Sequence, residues 1–165
     1  MISNDMRETL HRVCSVLNKY HVDYILVGGV AVAYHGYLRV SGTTLARPEV
    51  KTDLDFWYNP MLSNFVQLSS ALVELGVSKE MLDGITFDPK KTFLKIPHSN
   101  FHTDFLCQLT GLSSFSDCKT RASKLEIDGN SLLVLSYNDL LINKESVNRL
   151  IDKDDLKNLR KKNTD

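Results

Sequence analysis

Two aspartates separated by one residue, Asp53 and Asp55, form the most chemically suggestive spacing in this sequence. Side chains alternate between the faces of a β-strand, so residues two apart project from one face, about 7 Å apart. Two like charges that close repel each other unless a positive charge lies between them. A divalent cation meets that need, and ligands that are all oxygen suit a hard ion such as Mg²⁺ or Mn²⁺. The pair therefore predicts a metal site.

The neighbours of this pair indicate a strand that is mostly buried. Leu54, Phe56 and Trp57 are all apolar, and two unpaired carboxylates in such a strand would be costly. Two acids on the solvent-facing side of a strand are the plain alternative. The apolar surroundings favour the metal-binding interpretation.

A third acid, Asp104, also lies in an apolar run, between Phe101 and Leu106. It is either a single hydrogen-bonded carboxylate on the polar face of a strand, or a third metal ligand or general base. In chemistry that uses two metal ions, a third carboxylate completes the cage and helps to deprotonate an attacking hydroxyl. The three aspartates are therefore candidates for one catalytic centre.

A pair of glycines, Gly28 and Gly29, joins an apolar run to an alanine-rich segment. The pair is either a tight strand-to-helix turn or a phosphate cradle, because bare backbone lets an anion approach the N–H groups at a helix N-terminus. The order of strand, Gly-Gly, helix and then a strand with two acids is more specific than any one part. This order predicts metal-assisted phosphoryl or nucleotidyl transfer.

Basic residues follow the glycine pair. Arg39, Arg47 and Lys51 could bind a triphosphate, or they could simply be solvated. The stretch from 40 to 52 is predicted to be a loop or an insertion, because it contains glycine, proline and scattered hydroxyl residues.

A second basic group lies towards the end of the sequence. Lys144 and Arg149 come close to Asp152 and Asp155. The group is predicted either to form surface ion pairs or to let Lys144 reach toward the phosphates.

Periodicity and turn signals predict a single α/β domain over residues 1–165. Apolar residues at helical spacing indicate amphipathic helices, and short apolar runs indicate strands. Asp128-Gly129 is a strong hairpin signal, and Ser136 is a good helix N-cap. The predicted helices cover residues 5–20, 30–37, 61–76 and 136–147, with a short turn at 78–82 and a further helical stretch to about 161, and the predicted strands cover 24–27, 52–58, 93–96, 101–106, 124–127 and 132–135.

The bulk composition excludes some classes of protein. The 20 basic and 20 acidic residues cancel, which leaves no global field to attract nucleic acid. Charged residues near the start interrupt any signal-peptide core, and no apolar run approaches the length of a membrane span. We therefore expect a cytoplasmic protein with no membrane partner.

Taken together, the glycine pair, the three acids and the final helices resemble the nucleotidyltransferase superfamily, whose fold is shared with DNA polymerase beta. The chain is most similar to the small bacterial members called minimal nucleotidyltransferases, which occur alone or in toxin–antitoxin pairs. The resemblance covers about residues 20–160 and is specific as a set. The matching segments are 26–36, Arg39, 52–57, 102–106, 135–144, Arg149 and Asp152.

This resemblance implies an α/β fold of the α+β type, in which helices flank a mixed β-sheet and further helices follow at the C-terminal end. It implies that Asp53, Asp55 and Asp104 hold Mg²⁺ or Mn²⁺ and are catalytic. An acceptor hydroxyl, assisted by Asp104, would attack the α-phosphorus of a nucleoside triphosphate in line, and pyrophosphate would leave. The candidate nucleotide-binding residues are Gly28, Gly29, Arg39, Lys51, Thr52 and Lys144.

Two departures from the family pattern bear on activity. Many active members carry a serine after the first glycine or after the pair, where this chain has Gly29 and Val30. The stretch between Arg39 and Thr52 also looks longer than usual.

The first predicted function is Mg²⁺-dependent transfer of a nucleoside monophosphate to a hydroxyl on a protein, an RNA end or a small molecule. The alternative is a non-catalytic nucleotide- or protein-binding module of the same fold, such as a toxin–antitoxin component with a small helical partner protein. A third interpretation is an antibiotic adenylyltransferase, although 165 residues leave little room for a separate antibiotic-binding domain.

Overall fold

A mixed β-sheet organises the fold. The computed structural model describes residues 4–36, 53–99 and 101–163. Within them the strands are β1 (Tyr24–Leu26), β2 (Leu54–Tyr58), β3 (Leu94–Pro97), β4 (His102–Leu106), β5 (Ser123–Ile127) and β6 (Asn130–Val134). They are hydrogen-bonded in the order β3-β4-β2-β1-β6-β5. The pairs β1–β6 and β2–β4 are parallel, whereas β1–β2, β3–β4 and β5–β6 are antiparallel.

Helices accompany the sheet throughout the described part of the chain. They are α1 (Asn4–Lys19), α2 (Gly28–Tyr34), α3 (Leu62–Glu74), α4 (Lys79–Asp83), α5 (Phe115–Arg121), α6 (Tyr137–Val147) and α7 (Leu150–Lys162). α1 packs against α3 and β6, α2 lies against β2 and α6, and α6 packs against α7. The centre of the core is made by strand residues, since Ile25, Leu54, Phe56 and Phe105 are fully buried.

Local signals in the sequence place most of these elements. Asp128 and Gly129 both have a positive φ, 49° and 82°, as the two central residues of a type I′ hairpin turn require. The Ser136 hydroxyl caps α6 by accepting a hydrogen bond from the Asp139 N–H at 3.2 Å. The predicted hairpin and the predicted cap are therefore both confirmed.

One predicted helix boundary differs from the structure, and one helix was not predicted. The helix predicted to begin at Val30 begins at Gly28, because Gly28 has a φ of 60° and turns the chain directly out of β1. Glycine adopts this left-handed conformation without steric cost. No element was predicted at α5, a short helix capped by the Ser114 hydroxyl, which accepts from the Asp117 N–H at 3.1 Å.

A long-range contact connects α7 to the end of α2. The Lys162 ammonium donates a hydrogen bond to the Gly36 carbonyl oxygen at 2.6 Å, across 126 positions of sequence. α7 is thereby fixed both to α6 and to the helix that follows the glycine pair.

None of the helices that the structure describes is long and apolar enough to cross a membrane.

Candidate functional site

Strand register brings two of the predicted acids side by side. β2 and β4 run parallel, and Asp55 pairs with Asp104. Neighbouring strands lie about 4.8 Å apart, so the two carboxylates share one face of the sheet at close range. Asp53 lies one residue before β2 and points into the same cavity as the other two. The three predicted acids therefore come together.

His102 holds Asp53 in place. The Asp53 Oδ1 atom accepts a hydrogen bond from the His102 backbone N–H at 3.0 Å and lies 3.2 Å from the ring Nδ1. His102 comes two residues before Asp104 on β4, which puts both side chains on one face. Sequence reasoning gave His102 no role, although its spacing from Asp104 could have indicated one.

Asp104 has one partnered and one unpartnered oxygen. Its register partner on β3 is Lys95, whose ammonium lies 3.6 Å from the Asp104 Oδ2 atom. The other oxygen, Oδ1, is buried and has no hydrogen-bond partner among the described residues. A buried carboxylate oxygen without a partner is costly, so this atom is suited to receive a ligand.

The glycine pair lies against Asp55. The Val27 N–H donates to the Asp55 carbonyl oxygen at 3.0 Å, which ties the end of β1 to β2. A Cβ atom added to Gly28 would lie 2.0 Å from the Asp55 Oδ2 atom, so only glycine fits there. Gly28 and Gly29 open α2, and first-turn N–H groups lack intrahelical acceptors.

The burial and close spacing of the aspartates shift the pKa values of Asp55 and Asp104. Burial, together with the negative charges of Asp104 and Asp53, raises the pKa of Asp55 to about 6, against the opposing charges of Lys144 and Arg149. Burial also raises the pKa of Asp104, against the opposing charge of the Lys95 ammonium. Concentrated negative charge of this kind favours a bound cation.

Lys144 lies at the centre of a buried ion cluster. Its ammonium is 2.8 Å from an Asp152 oxygen and 2.9 Å from an Asp155 oxygen, and all three side chains are at most 5% exposed. The predicted ion pairs are present, but the pairs of Lys144 are buried and not on the surface as predicted, whereas the Arg149 side chain is 66% exposed. The packing of α6 against α7 places these side chains between the two helices.

Arg149 continues this cluster into the cavity. Its Nε and Nη2 atoms donate to the two oxygens of Asp152 at 2.7 and 3.2 Å. Burial alone would raise the pKa of Asp152, but hydrogen bonds from Arg149 and Lys144 lower it to about 2. Asp152 therefore stays ionised and holds both basic side chains in place.

One cavity of about 840 Å³ is lined by the glycine pair, the three acids and the basic side chains of Lys95, Lys144 and Arg149. It brings together Gly28, Gly29, Asp53, Asp55, Asp104 and Lys144, which sequence reasoning had singled out. It also adds Lys95, which sequence reasoning missed because its position depends on strand pairing. Three other predicted nucleotide ligands, Arg39, Lys51 and Thr52, and the loop predicted at 40–52 lie outside the described residues.

The donor chemistry of the site fits a hard divalent cation. Three carboxylates supply oxygen ligands, and the buried Asp104 Oδ1 atom lacks a described partner. Their spacing is not that of a closed cage, since the described residues hold no group of three or more His, Cys, Asp or Glu side chains arranged to hold a metal ion. Asp53 and Asp104 are instead bonded to His102 and Lys95.

Comparisons with known proteins agree with this fold. No model of a protein family matches the sequence, and no curated protein matches it. The structure is similar to a crystal structure of the lincosamide antibiotic adenylyltransferase LnuA with lincomycin bound. The TM-score is 0.57 and the sequence identity is 14%, over 93% of this chain and 95% of that chain.

At 14% identity this likeness shows the fold. The chain has the nucleotidyltransferase fold, a mixed sheet flanked by helices, and the predicted fold class is confirmed. Membership among the small bacterial members of that superfamily stays a prediction.

Proposed function

We propose that this protein transfers a nucleoside monophosphate from a nucleoside triphosphate to a hydroxyl acceptor. The observation that carries the proposal is the convergence of the glycine pair and three aspartates on one cavity. Within it, Gly28 touches Asp55, and Asp55 pairs with Asp104. The structural likeness to an adenylyltransferase supports the proposal.

The triphosphate would bind between the glycine pair and the two basic side chains of α6 and α7. Gly28 and Gly29 offer bare backbone and the N–H groups of a first helical turn. Lys144 and Arg149 line the same cavity, and their positive charges act on Asp55. Because Asp152 anchors both side chains, little ordering entropy would be lost when a phosphate binds.

Asp53, Asp55 and Asp104 would hold Mg²⁺ or Mn²⁺. When bound, the cation would neutralise charge that grows on the α-phosphate and on the leaving pyrophosphate. His102 and Lys95 hold two of these acids in position. The buried Oδ1 atom of Asp104 would take the proton of the acceptor hydroxyl, and its raised pKa suits a general base.

The length of this chain is compatible with the hypothesis that the acceptor is an antibiotic. A separate antibiotic-binding domain was the objection to this interpretation at 165 residues. The lincosamide adenylyltransferase is matched over 95% of its chain by 93% of this one, so that antibiotic adenylyltransferase has nearly the same length. We include small molecules among the proposed acceptors for this reason.

Calorimetric titration of the four nucleoside triphosphates, with and without Mg²⁺, tests the proposal. We expect binding that depends on Mg²⁺ and is lost in Asp55→Asn. Asp128→Asn is the matched control, because Asp128 lies in the β5–β6 turn, where asparagine before glycine is equally favoured. If the unmodified protein binds no nucleotide, the non-catalytic module with a small helical partner protein becomes the better hypothesis.

A further inference from the structure

The part of the cavity beyond Asp104 carries several apolar side chains. Lys95 and Asp104 are register partners on β3 and β4. Two residues further along the same face of each strand come Phe93 and Leu106, and both line the cavity. Phe93 is 51% exposed and, with Leu106 beside it, forms a continuous apolar part of the cavity lining. This end of the cavity therefore presents apolar surface to a ligand.

The wall of this apolar end is shaped by a loop packed onto α6. The Asn143 side chain donates a hydrogen bond to the Thr110 carbonyl oxygen at 2.9 Å. A Cβ atom on Gly111 would lie 1.9 Å from the Ser146 hydroxyl oxygen, so the loop and the helix are in tight contact. Leu109 and Val147 add further apolar surface to the cavity from the two sides of this contact.

The order of the strands places the residues of the site in a row across the sheet. The glycine pair follows β1, Asp55 is on β2, Asp104 is on β4 and Phe93 comes just before β3, and these strands are neighbours in that order. In phosphoryl transfer the attacking and leaving oxygens lie roughly in line. If pyrophosphate leaves on the glycine side, the attacking hydroxyl must come from the side of Asp104 and Phe93.

We propose that the surface formed by Phe93, Leu106 and Leu109 is the acceptor subsite, and that the acceptor is an uncharged small molecule with an apolar body and a hydroxyl group. This inference rests on the proposed nucleotidyl transfer. The acceptor oxygen forms a bond to the α-phosphorus, and its proton passes to Asp104. The bond from the α-phosphorus to the bridging oxygen breaks, and pyrophosphate leaves with the electron pair.

The size of the cavity agrees with two ligands. Sites for single small molecules range from about 300 to 1,000 Å³, and this cavity of about 840 Å³ lies near the upper end. At about 840 Å³ the cavity is more than twice the lower limit of that range, so two small ligands side by side are compatible with its volume.

Charge at the apolar end disfavours an RNA acceptor. Nucleic acids bind through several lysines or arginines that neutralise phosphates. Beside the apolar surface the described lining residues offer Lys95, and its ammonium already lies 3.6 Å from an Asp104 oxygen. An uncharged body avoids the cost of burying charge against leucine and phenylalanine.

The first test is binding of the uncharged fluorescent probe N-phenyl-1-naphthylamine. We expect saturable binding that persists when Mg²⁺ and α,β-methylene-ATP are bound, and that weakens at least tenfold in Phe93→Ser. The control is Val66→Ser, since Val66 is 57% exposed on α3 and does not line the cavity. Displacement of the probe by the nucleotide would overturn the proposal, because the apolar end would then hold the base. Equal binding by Phe93→Ser would also overturn it.

The second test separates the acceptor classes. The protein is given ATP labelled at the α-phosphate, with Mg²⁺ and one of three acceptor sets: uncharged apolar alcohols of small size, a short RNA, or casein. We expect label on the alcohols, with Phe93→Ser raising the KM for the alcohol at least tenfold and leaving the KM for ATP unchanged. Label on RNA or protein, or on no alcohol, would overturn the acceptor class.

Nucleotide binding, measured in the same samples, distinguishes this inference from the function on which it rests. A protein that binds no Mg²⁺-ATP refutes both. If the protein binds Mg²⁺-ATP but the nucleotide displaces the probe, only the proposal of the acceptor subsite is refuted.

Discussion

Gly28 is constrained both by its backbone conformation and by its close contact with the Asp55 carboxylate. Its φ of 60° is unfavourable for other residues, and a Cβ atom would overlap the Asp55 carboxylate. The close contact explains why a glycine, rather than any small residue, lies at the start of α2. It also means that the backbone proposed to bind phosphate and the acid proposed to bind the metal cannot be altered independently.

Gly28→Ala is therefore expected to displace Asp55 and to weaken Mg²⁺-dependent nucleotide binding at least tenfold. The control is Gly129→Ala, where φ is 82° but no atom lies within 4 Å of the added Cβ. Gly129→Ala would show the backbone strain alone, about 1–3 kcal/mol in the free energy of unfolding, with unchanged nucleotide binding. Calorimetry and urea unfolding of both variants measure the difference. Equal nucleotide binding by the two variants would refute the role of Gly28.

Asp55 is expected to destabilise the metal-free protein at neutral pH. Its pKa rises from 3.8 to about 6 on folding, so the folded state holds the proton more tightly than the unfolded chain. This favourable contribution is complete below about pH 4 and is lost as the pH rises through about 6. In the ionised form, the buried carboxylate opposes folding.

Asp55→Asn should accordingly stabilise the metal-free protein by about 1–3 kcal/mol at pH 7.5, and by much less at pH 4. Urea unfolding in the presence of a chelator, at both pH values, measures this gain. With Mg²⁺ and ATP the order should reverse, because only the carboxylate binds the cation. A gain that does not depend on pH would show that the charge of Asp55 is not its cause.

Single residues also show how far sequence alone could predict the site. The three aspartates and the glycine pair were identified because each is anomalous in an apolar run. Lys95 and His102 were given no role, because their contacts with Asp104 and Asp53 depend on which strands pair and in what register. Strand pairing joins distant parts of the sequence, so it cannot be predicted from local periodicity.

At the scale of elements, α6 and α7 act as one unit through Lys144. The sequence predicted both helices from periodicity and a serine cap, but neither of its two interpretations of Lys144, a surface ion pair or a reach toward the phosphates, included a buried ion cluster. Whether two helices turn charged residues toward each other depends on how they pack. The result is a buried ammonium between two carboxylates, which fixes the relative position of both helices.

Lys144→Met is expected to destabilise the protein by about 3–5 kcal/mol, because it removes the positive charge from between two buried acids. Lys157→Met is the control, since Lys157 is an exposed lysine on α7. Thermal and urea unfolding measure the free energy of each variant. A loss below about 1 kcal/mol would show that the cluster contributes little to the packing of α6 on α7.

At the scale of the whole molecule, the site draws on distant parts of the chain. The glycine pair, Asp53 and Asp55 come from the first third of the described residues, Asp104 from the middle third, and Lys144 and Arg149 from the last. The predicted fold class is confirmed, whereas the prediction of one domain over residues 1–165 is not yet tested. A site assembled in this way is expected to form only when the sheet is complete.

Unfolding should therefore be a single cooperative transition. The protein has one tryptophan, Trp57, which is 2% exposed at the centre of the sheet, so its fluorescence reports on the core. Far-UV circular dichroism reports mainly on the helices. We expect the two urea transitions to coincide, as they do for two-state domains. Separate midpoints would show that the helices and the sheet form distinct units.

The contact between Lys162 and Gly36 has a consequence for the order of events during synthesis. A nascent chain leaves the ribosome from its N-terminal end, so all six strands emerge before α7 does. Until then, Lys144 has neither of its carboxylate partners, and Arg149 is not yet anchored by Asp152. The basic side chains of the proposed site are therefore expected to reach their anchored positions only after α7 has been synthesised, later than the glycine turn and the three acids.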